Sequence, residues 1–402
     1  MLLGQGYHVK AQQVDSLDIK IGQMILIGFA KPDIDSAVLR EIREGKAGSL
    51  VIFEKNIPAK SSFASLKKII WTYQKAAPIP LIVAIDQEGG RVNRLKEKYG
   101  FTRSITAQAM GKSPTLDSVR FYADATASTL AGLGINLNFA PVVDLGSNPD
   151  NPIIAKIGRS FSAKEDSVTL MAKEFIKQHR KYNVLTSLKH FPGHGSSKAD
   201  THLGMADVTN TWEERELKPY KDLIDSGYVD AIMSAHIVNK KLDSTGNPGT
   251  LSNAILTKIL RQRLHFNGVI FSDDMQMHAI TKHYGFEEAV KLAIRGGVDI
   301  MIFSNNIAGS DVRTVDKVHS IIRDLVLRGE ISRERIDESF RRVMKLKKQI
   351  IAPADKVTLT RSLKQKEIEL TAMKQQLAEK DAEIMKLNES QVTSRKKKKK
   401  KR

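Results

Sequence analysis

The sequence contains no cysteine among its 402 residues. Structural disulfides and thiolate metal sites are therefore excluded. No apolar run reaches the ~20 residues that a membrane-spanning helix needs. The N-terminal stretch MLLGQGYHVKAQQ has neither a basic start nor a sustained apolar core, so it does not resemble a signal peptide. We therefore expect a cytoplasmic protein; a periplasmic or exported one is the alternative if the true start lies upstream.

Acidic residues are in deficit, and the formal net charge is +19. Eight of the positive charges lie in the final run RKKKKKKR, residues 395–402, so the other 394 residues carry +11. This balance suits solubility and attraction of anionic ligands, and it does not indicate a specific nucleic-acid partner.

Eight short runs rich in β-branched residues recur along the chain, and several end in polar residues or glycine. Near-continuous apolar runs of this length are typical of parallel strands buried on both faces. Amphipathic stretches such as SAVLREIREG and FEEAVKLAIRGG, which favour helices, fill most of the intervals. The eight runs are 24–29, 49–53, 80–86, 135–141, 184–191, 229–236, 268–274 and 299–304.

Eight strands alternating with helices predict an α/β protein with a single (β/α)8, or TIM, barrel. A doubly wound open sheet is the alternative, but the strand count and the length favour the closed form. A barrel gathers its active site at the carboxyl ends of its strands. Charged and histidine residues close several of the runs, which favours an enzyme over a structural barrel.

The composition changes near residue 352. From 357 to 391 the chain lacks glycine and proline, and Leu363, Leu370 and Leu377 recur every seven residues. The position three residues further on in this repeat should also be apolar in a coiled coil, but it is lysine in half of its occurrences. The repeat therefore predicts either a long solvated helix or a weak coiled coil that pairs chains. We expect an N-terminal segment over 1–14, a catalytic barrel over 15–352, a charged helix over 353–392 and a disordered basic tail over 393–402. The tail is a candidate contact for an anionic polymer or a membrane surface.

Three of the ten histidines lie in KHFPGHGSSKADTH, residues 189–202. A zinc site would use His190, His194 and His202, but the Pro-Gly pair after Phe191 indicates a loop, and no HExxH motif is present. We therefore expect no metal. The structural alternative is that these histidines satisfy hydrogen bonds within a folded loop, His194 between its two glycines above all.

Asp200 precedes His202 by two residues, which allows the carboxylate to fix the ring's tautomer and raise its basicity. Such a pair can act first as a general acid and then as a general base.

The sequence FSDD, at the end of the seventh predicted strand, offers Asp273 as a nucleophile or as a stabiliser of an oxocarbenium ion. Of the two acids, Asp274 is the one that we expect to cap the next helix. A substrate-assisted glycosidase fits the paired acids equally well, but not the Asp-Thr-His loop.

Five motifs, in order, resemble those of family 3 glycoside hydrolases, and more narrowly the bacterial β-N-acetylhexosaminidase (NagZ-like) branch. They are DQEGGRVNRL, IGRSF, KHFPGHG, DTH and FSDDMQM, within about residues 15–350. The resemblance implies that Asp273 is the nucleophile and that His202, held by Asp200, is the acid/base. It also implies a set of sugar-binding residues, namely Asp86, Arg94, Arg159, Lys189 and His190. Charged donors and acceptors suit paired sugar hydroxyls; loop-bracing ion pairs are the alternative for the two arginines.

We therefore expect a retaining exo-β-N-acetylglucosaminidase that needs no metal or organic cofactor and whose partner is a carbohydrate. Cell-wall fragments or chitin-like oligosaccharides are the substrates that the resemblance implies. Two alternatives from the same family are an N-acetylglucosaminide phosphorylase and a β-glucosidase. The alternative of another class is a non-catalytic sugar-binding or scaffold protein, with the C-terminal extension as its working part.

Overall fold

A closed barrel of eight parallel strands forms the centre of the protein. The computed structural model describes residues 16–198, 205–306 and 315–351. Each strand lies within one of the eight predicted runs, so the predicted barrel is confirmed and the open-sheet alternative is wrong. The strands are β1 Ile25–Gly28, β2 Ser49–Ile52, β3 Ile82–Ile85, β4 Leu137–Asn138, β5 Leu185–Phe191, β6 Ala231–Ser234, β7 Val269–Asp274 and β8 Ile300–Phe303.

The strands pair in chain order, and β8 closes the barrel against β1 through the register Ile25–Met301. Two short strands, Ala206–Asp207 and Ile237–Val238, pair with each other outside the barrel. The predicted helical extension over 353–392 and the basic tail over 393–402 lie outside the described residues.

Helices surround the barrel because their amphipathic sequences bury one face on it. On the helix Phe286–Gly296, for example, Ala289, Val290, Ala293 and Ile294 are buried, while the N-terminal Glu287 and Glu288 complement the helix dipole. No described helix is both long and apolar enough to cross a membrane. The α-helices are α1 Ser16–Gly22, α2 Ser36–Arg43, α3 Ser62–Ala76, α4 Ala107–Gly111, α5 Asp117–Leu133, α6 Glu165–Arg180, α7 Lys218–Asp225, α8 His278–Thr281, α9 Phe286–Gly296, α10 Val315–Leu327 and α11 Arg333–Ile351. A π-helix spans Ala254–Arg263, and 3-10 turns span Glu54–Asn56, Glu97–Tyr99, Glu214–Leu217 and Gly249–Leu251.

Apolar side chains fill the barrel interior, as the alternation of the strands requires. Leu26, Val51 and Phe271 belong to this inner core, and Val343 and Leu346 of α11 join it. A second, larger cluster lies between the strands and the surrounding helices.

The register of the barrel is irregular at two places. Between β5 and β6 it shifts by one residue between Leu188 and Phe191. Between β7 and β8 it shifts again, since Ile300 pairs with Phe271 but Ile302 pairs with Asp274. An extra residue of this kind bends a strand and re-aims its side chains. The two shifts bracket Lys189 and His190 on β5, and Asp273 on β7.

Candidate active site

A cavity of about 480 Å³ lies at the carboxyl ends of the barrel strands. Its apolar floor includes Phe139, Met233 and Ile302, which also belong to the inner core. The volume falls in the range of small-molecule sites. Six of the predicted site residues line it, namely Asp86, Arg94, Arg159, Lys189, His190 and Asp273. The other two, Asp200 and His202, lie outside the described residues.

One wall of this cavity is charged and is formed by Asp86, Arg94, Arg159 and Lys189. The ammonium group of Lys189 holds this charged wall together. Its Nζ lies 2.6 Å from Asp86 Oδ1 and 2.7 Å from Glu88 Oε1, and its side chain is only 2% exposed. Arg94 approaches the other Asp86 oxygen, with Nη2 3.5 Å from Oδ2. A buried ammonium ion between two carboxylates is compensated, whereas either partner alone would not be.

The two carboxylates stay ionised because of these cations. Burial alone would raise the pKa of the Asp86 carboxyl, but Lys189 and Arg94 outweigh it and lower that pKa below its usual value. Burial opposes ionisation of Glu88 as well, and there Arg159 and Lys189 hold the pKa well below its usual range. The wall therefore presents fixed charges, which can hydrogen-bond a polar ligand with little reorganisation.

Arg159 joins this wall to His190. Its Nε and Nη2 atoms each donate to a Glu88 oxygen at 2.8 Å, a two-point contact, and Nη2 also lies 3.1 Å from His190 Nε2. A guanidinium group can only donate, so His190 Nε2 accepts and its Nδ1 carries the hydrogen. That Nδ1 lies 2.7 Å from Asp144 Oδ2. The ring orientation of His190 is thus fixed from both sides.

The expected ion-pair alternative for the two arginines and the sugar-site prediction are compatible. Arg94 and Arg159 make ion pairs with Asp86 and Glu88, and both arginines also line the cavity. The two guanidinium groups therefore hold the carboxylates in place and also lie at the surface that a ligand would touch.

Asp273 lies where β7 enters the cavity, and one of its oxygens is held by the N–H group of Asp274 at 2.8 Å. Asp274 itself is buried, and burial raises its pKa to about 6. Its Oδ1 accepts the Gln276 N–H at 3.1 Å, and its Oδ2 accepts the Ser304 hydroxyl. The N-cap prediction for Asp274 is wrong, because the next helix begins at His278 with Met277 at the cap position. Asp274 instead ties β7 to β8 beneath Asp273.

The histidines of the 189–202 segment do not form a metal centre within the part of the chain that the structure describes. Both ring nitrogens of His190 are already engaged, by Asp144 and Arg159. His194 donates its backbone N–H to Asp144 at 2.8 Å, but its ring nitrogens have no hydrogen-bond partner among the described residues. Burial lowers its pKa to about 4, so the ring is neutral near pH 7. The expectation that the His194 ring satisfies hydrogen bonds in the loop is therefore not met.

Sequence reasoning missed several residues that shape the site, and the reasons differ. Glu88 stands inside the motif DQEGGRVNRL, and its place in that motif is the signal that could identify it. Asp144 follows the fourth strand in PVVDLG and carried a weaker one. Ser304, at the end of β8, had none, because only the fold brings it to Asp274.

A (β/α)8 barrel whose strand-end carboxylate and charged side chains line one cavity at the carboxyl ends of the strands has the arrangement of a barrel enzyme that acts on a polar ligand. Residues 16–346 match the family model described as the glycosyl hydrolase family 3 N terminal domain. The chain therefore belongs to glycosyl hydrolase family 3, and it is a glycoside hydrolase.

Relatives agree with this assignment. A β-hexosaminidase of Tolumonas auensis is 34% identical over 283 residues, which cover 69% of this chain and 81% of that protein. A β-hexosaminidase A of Pseudoalteromonas piscicida is 31% identical over 318 residues, covering 75% of this chain but 53% of that protein. Among solved structures, a family 3 β-N-acetylglucosaminidase from Paenibacillus sp. str. FPU-7 superposes with a TM-score of 0.77 at 31% identity, over 84% of this chain and 63% of that chain. The last two relatives are thus considerably longer than the region they share with this chain.

Proposed function

We propose that the protein is a retaining exo-β-N-acetylglucosaminidase, with Asp273 as nucleophile and His202 as acid/base. The observation that carries the proposal is that Asp273 lines the same cavity as the Asp86–Lys189–Arg159 wall. The names of the relatives support an N-acetylhexosaminide as substrate. Cell-wall fragments and chitin-like oligosaccharides with a terminal β-linked N-acetylglucosamine are the proposed natural sources.

In the first step, a carboxylate oxygen of Asp273 bonds to the anomeric carbon while the glycosidic bond breaks. His202 gives its proton to the departing oxygen, so that the leaving group departs as a neutral alcohol. The Asp274 N–H group, 2.8 Å from Asp273 Oδ1, supports this role because it orients the carboxylate before attack.

In the second step, His202 takes a proton from a water molecule, whose oxygen attacks the same carbon and releases Asp273. Two inversions leave the sugar with its β configuration. Asp200, two residues before His202, stabilises the protonated ring in the first state and sets its tautomer in the second.

The charged wall is the proposed binding surface for the sugar. Asp86 accepts hydrogen bonds from hydroxyl groups, while Lys189, Arg94 and Arg159 donate them. His190 is held rigidly beside Arg159. Because these groups are already paired and buried, they keep their geometry without a ligand, which limits the entropy lost on binding.

The experiment is release of p-nitrophenol from p-nitrophenyl β-N-acetylglucosaminide by the wild type, by Asp273→Ala and by Asp225→Ala. Asp225 is an exposed acid paired with Lys221 and serves as the matched control. We expect Asp273→Ala to lower kcat by at least about a thousandfold, and Asp225→Ala to leave it unchanged.

Two further arms separate the family alternatives. A strong gain in rate with inorganic phosphate, and a sugar 1-phosphate product, would make the protein a phosphorylase. Faster cleavage of the β-glucoside would make it a β-glucosidase. A wild type that cleaves neither substrate, or an Asp273→Ala variant that keeps its rate, would contradict the proposal.

A further inference from the structure

Side chains from other segments, most of them buried, fix the loop that follows β5, residues 192–197, from several sides. Trp212 Nε1 donates to the Pro192 carbonyl at 3.1 Å. Asn151 Nδ2 donates to the carbonyls of His194 and Gly195 at 2.8 and 3.1 Å. Asn148 Nδ2 donates to the Ser197 carbonyl at 2.8 Å. These groups come from the segments after β4 and before α7, so two separate parts of the chain define the shape of the loop.

Glu216 is the acidic member of this set. It lies in the 3-10 turn Glu214–Leu217, is only 2% exposed, and its Oε2 accepts the Gly195 N–H at 3.0 Å. The contact is tight, since a Cβ on Gly193 would lie 2.7 Å from the Glu216 side chain. Burying a carboxyl group costs free energy unless the group is hydrogen-bonded. An apolar side chain of similar size could not accept the Gly195 N–H, so this contact with the loop backbone requires the carboxyl group.

The electrostatic surroundings of Glu216 favour no strong ion pair. Burial is the main cause that raises its pKa to about 7; the nearby Asp144 contributes to the rise, whereas the Gly195 N–H group and Arg215 oppose it in part. Arg215 itself turns to Glu213 and Glu165 on the surface. Glu216 therefore acts on the loop mainly as a hydrogen-bond acceptor.

The loop leads directly toward the proposed acid/base. Lys198 is the last described residue before His202, which follows four residues later in the sequence. Four residues span at most ~14 Å of extended chain, so the position of residue 198 limits where His202 can reach. We propose that Glu216 is a positioning residue for the acid/base His202, acting by fixing the 192–197 loop. This inference rests on the proposed function.

The test uses the leaving-group dependence of kcat/KM, which reports the first chemical step. A 2,4-dinitrophenyl β-N-acetylglucosaminide departs without help from an acid, whereas the β-linked disaccharide of N-acetylglucosamine needs a proton on its leaving oxygen. In Glu216→Ala we expect kcat/KM to fall at least tenfold for the disaccharide and less than threefold for the dinitrophenyl substrate. Glu216→Gln keeps an acceptor oxygen and should stay within threefold of wild type on both.

A control and a second variant keep the test decisive. Glu174→Ala removes another buried carboxylate, on α6, where it binds Gln178 and Arg120, and should not separate the two substrates. Asn151→Ala loosens the same loop from its other side, so it should reproduce the selective loss even if Glu216→Ala does not fold. Equal losses on both substrates in Asn151→Ala and Glu216→Ala, or no loss in either, would overturn the inference. A wild type inactive on both substrates would instead overturn the proposed function.

Discussion

Individual residues at the cavity show how a chain can keep charges inside a protein. Lys189 is almost fully buried, yet two carboxylates lie within 2.7 Å of its ammonium group. Removing one partner of a buried pair typically costs 3–5 kcal/mol, because the other is left uncompensated. Lys189 therefore contributes to the stability of the wall as well as to its chemistry, and variants at this position will mix the two effects.

Asp274 gives a prediction about pH. Its pKa of about 6 in the folded protein lies above the value of 3.8 that is usual for aspartate, so the folded state binds the extra proton between these values. Its contribution to the free energy of unfolding is thus complete below about pH 4 and is lost as the pH rises through 6. Asp274→Asn cannot titrate, so we expect the variant to avoid that loss, which amounts to roughly 3 kcal/mol.

The measurement is urea unfolding of both proteins from pH 4 to pH 8. The free energy of unfolding of Asp274→Asn, relative to that of the wild type, should increase as the pH rises and level off above about pH 7. Curves that stay parallel across this range would show that Asp274 is already ionised at pH 4.

At the scale of single elements, the loop after β5 depends on a close approach of two backbones. A Cβ on Gly195 would lie 1.9 Å from the Leu145 carbonyl oxygen, which also belongs to backbone and cannot rotate away. The glycine is thus required by space, not by an unusual dihedral angle. The same segment holds His190 and His194 through Asp144.

We expect Gly195→Ala to lower the free energy of unfolding by about 2 kcal/mol or more, in line with overpacking of a tight core. Activity should fall as well, because the loop must move away from Leu145. The matched control is Gly285→Ala, at the N-cap of α9, where nothing lies within 4 Å of an added Cβ. Thermal unfolding of both variants checks this. Equal stability of Gly195→Ala and wild type would mean that the two backbones separate at no cost.

The elements also show what the sequence could predict. The strands were visible because fully buried parallel strands carry continuous apolar runs, such as PLIVAID around β3. The site residues at the ends of β3, β5 and β7 are predictable from their place at strand ends and from the motifs. The register shifts at Lys189 and Asp273 could not be predicted, since an inserted residue in a barrel strand leaves no mark on the apolar pattern.

Contacts between distant segments were equally invisible. Glu216 precedes α7 and looks like one more acid in the polar stretch EERELK, yet it is buried against Gly195. The local sequence predicts a helix cap at Asp274, and it cannot reveal the partner Ser304, which lies 30 residues further along the chain. Burial of a charged side chain is set by the tertiary fold, and local composition argues against it.

At the scale of the whole molecule, stability and chemistry occupy opposite ends of the barrel. The end away from the cavity is closed by α11, whose Val343 and Leu346 enter the inner core. Beside them Lys347 donates to Gln23 Oε1 at 2.5 Å and to the Gly48 carbonyl at 2.8 Å. The cavity lies at the other end, among the strand ends and their loops. This division is usual for barrel enzymes and leaves the mouth free to carry the reaction.

The proposed mechanism requires a covalent bond between Asp273 and the sugar, and trapping that intermediate would make the bond visible. The wild-type protein would be incubated with a 5-fluoro-β-N-acetylglucosaminyl fluoride, which slows both steps and lets the intermediate accumulate, and then digested and analysed by mass spectrometry. We predict one sugar per chain, on the peptide that contains Asp273. A label on another residue, or turnover of the reagent without any adduct, would contradict the role of Asp273 as nucleophile.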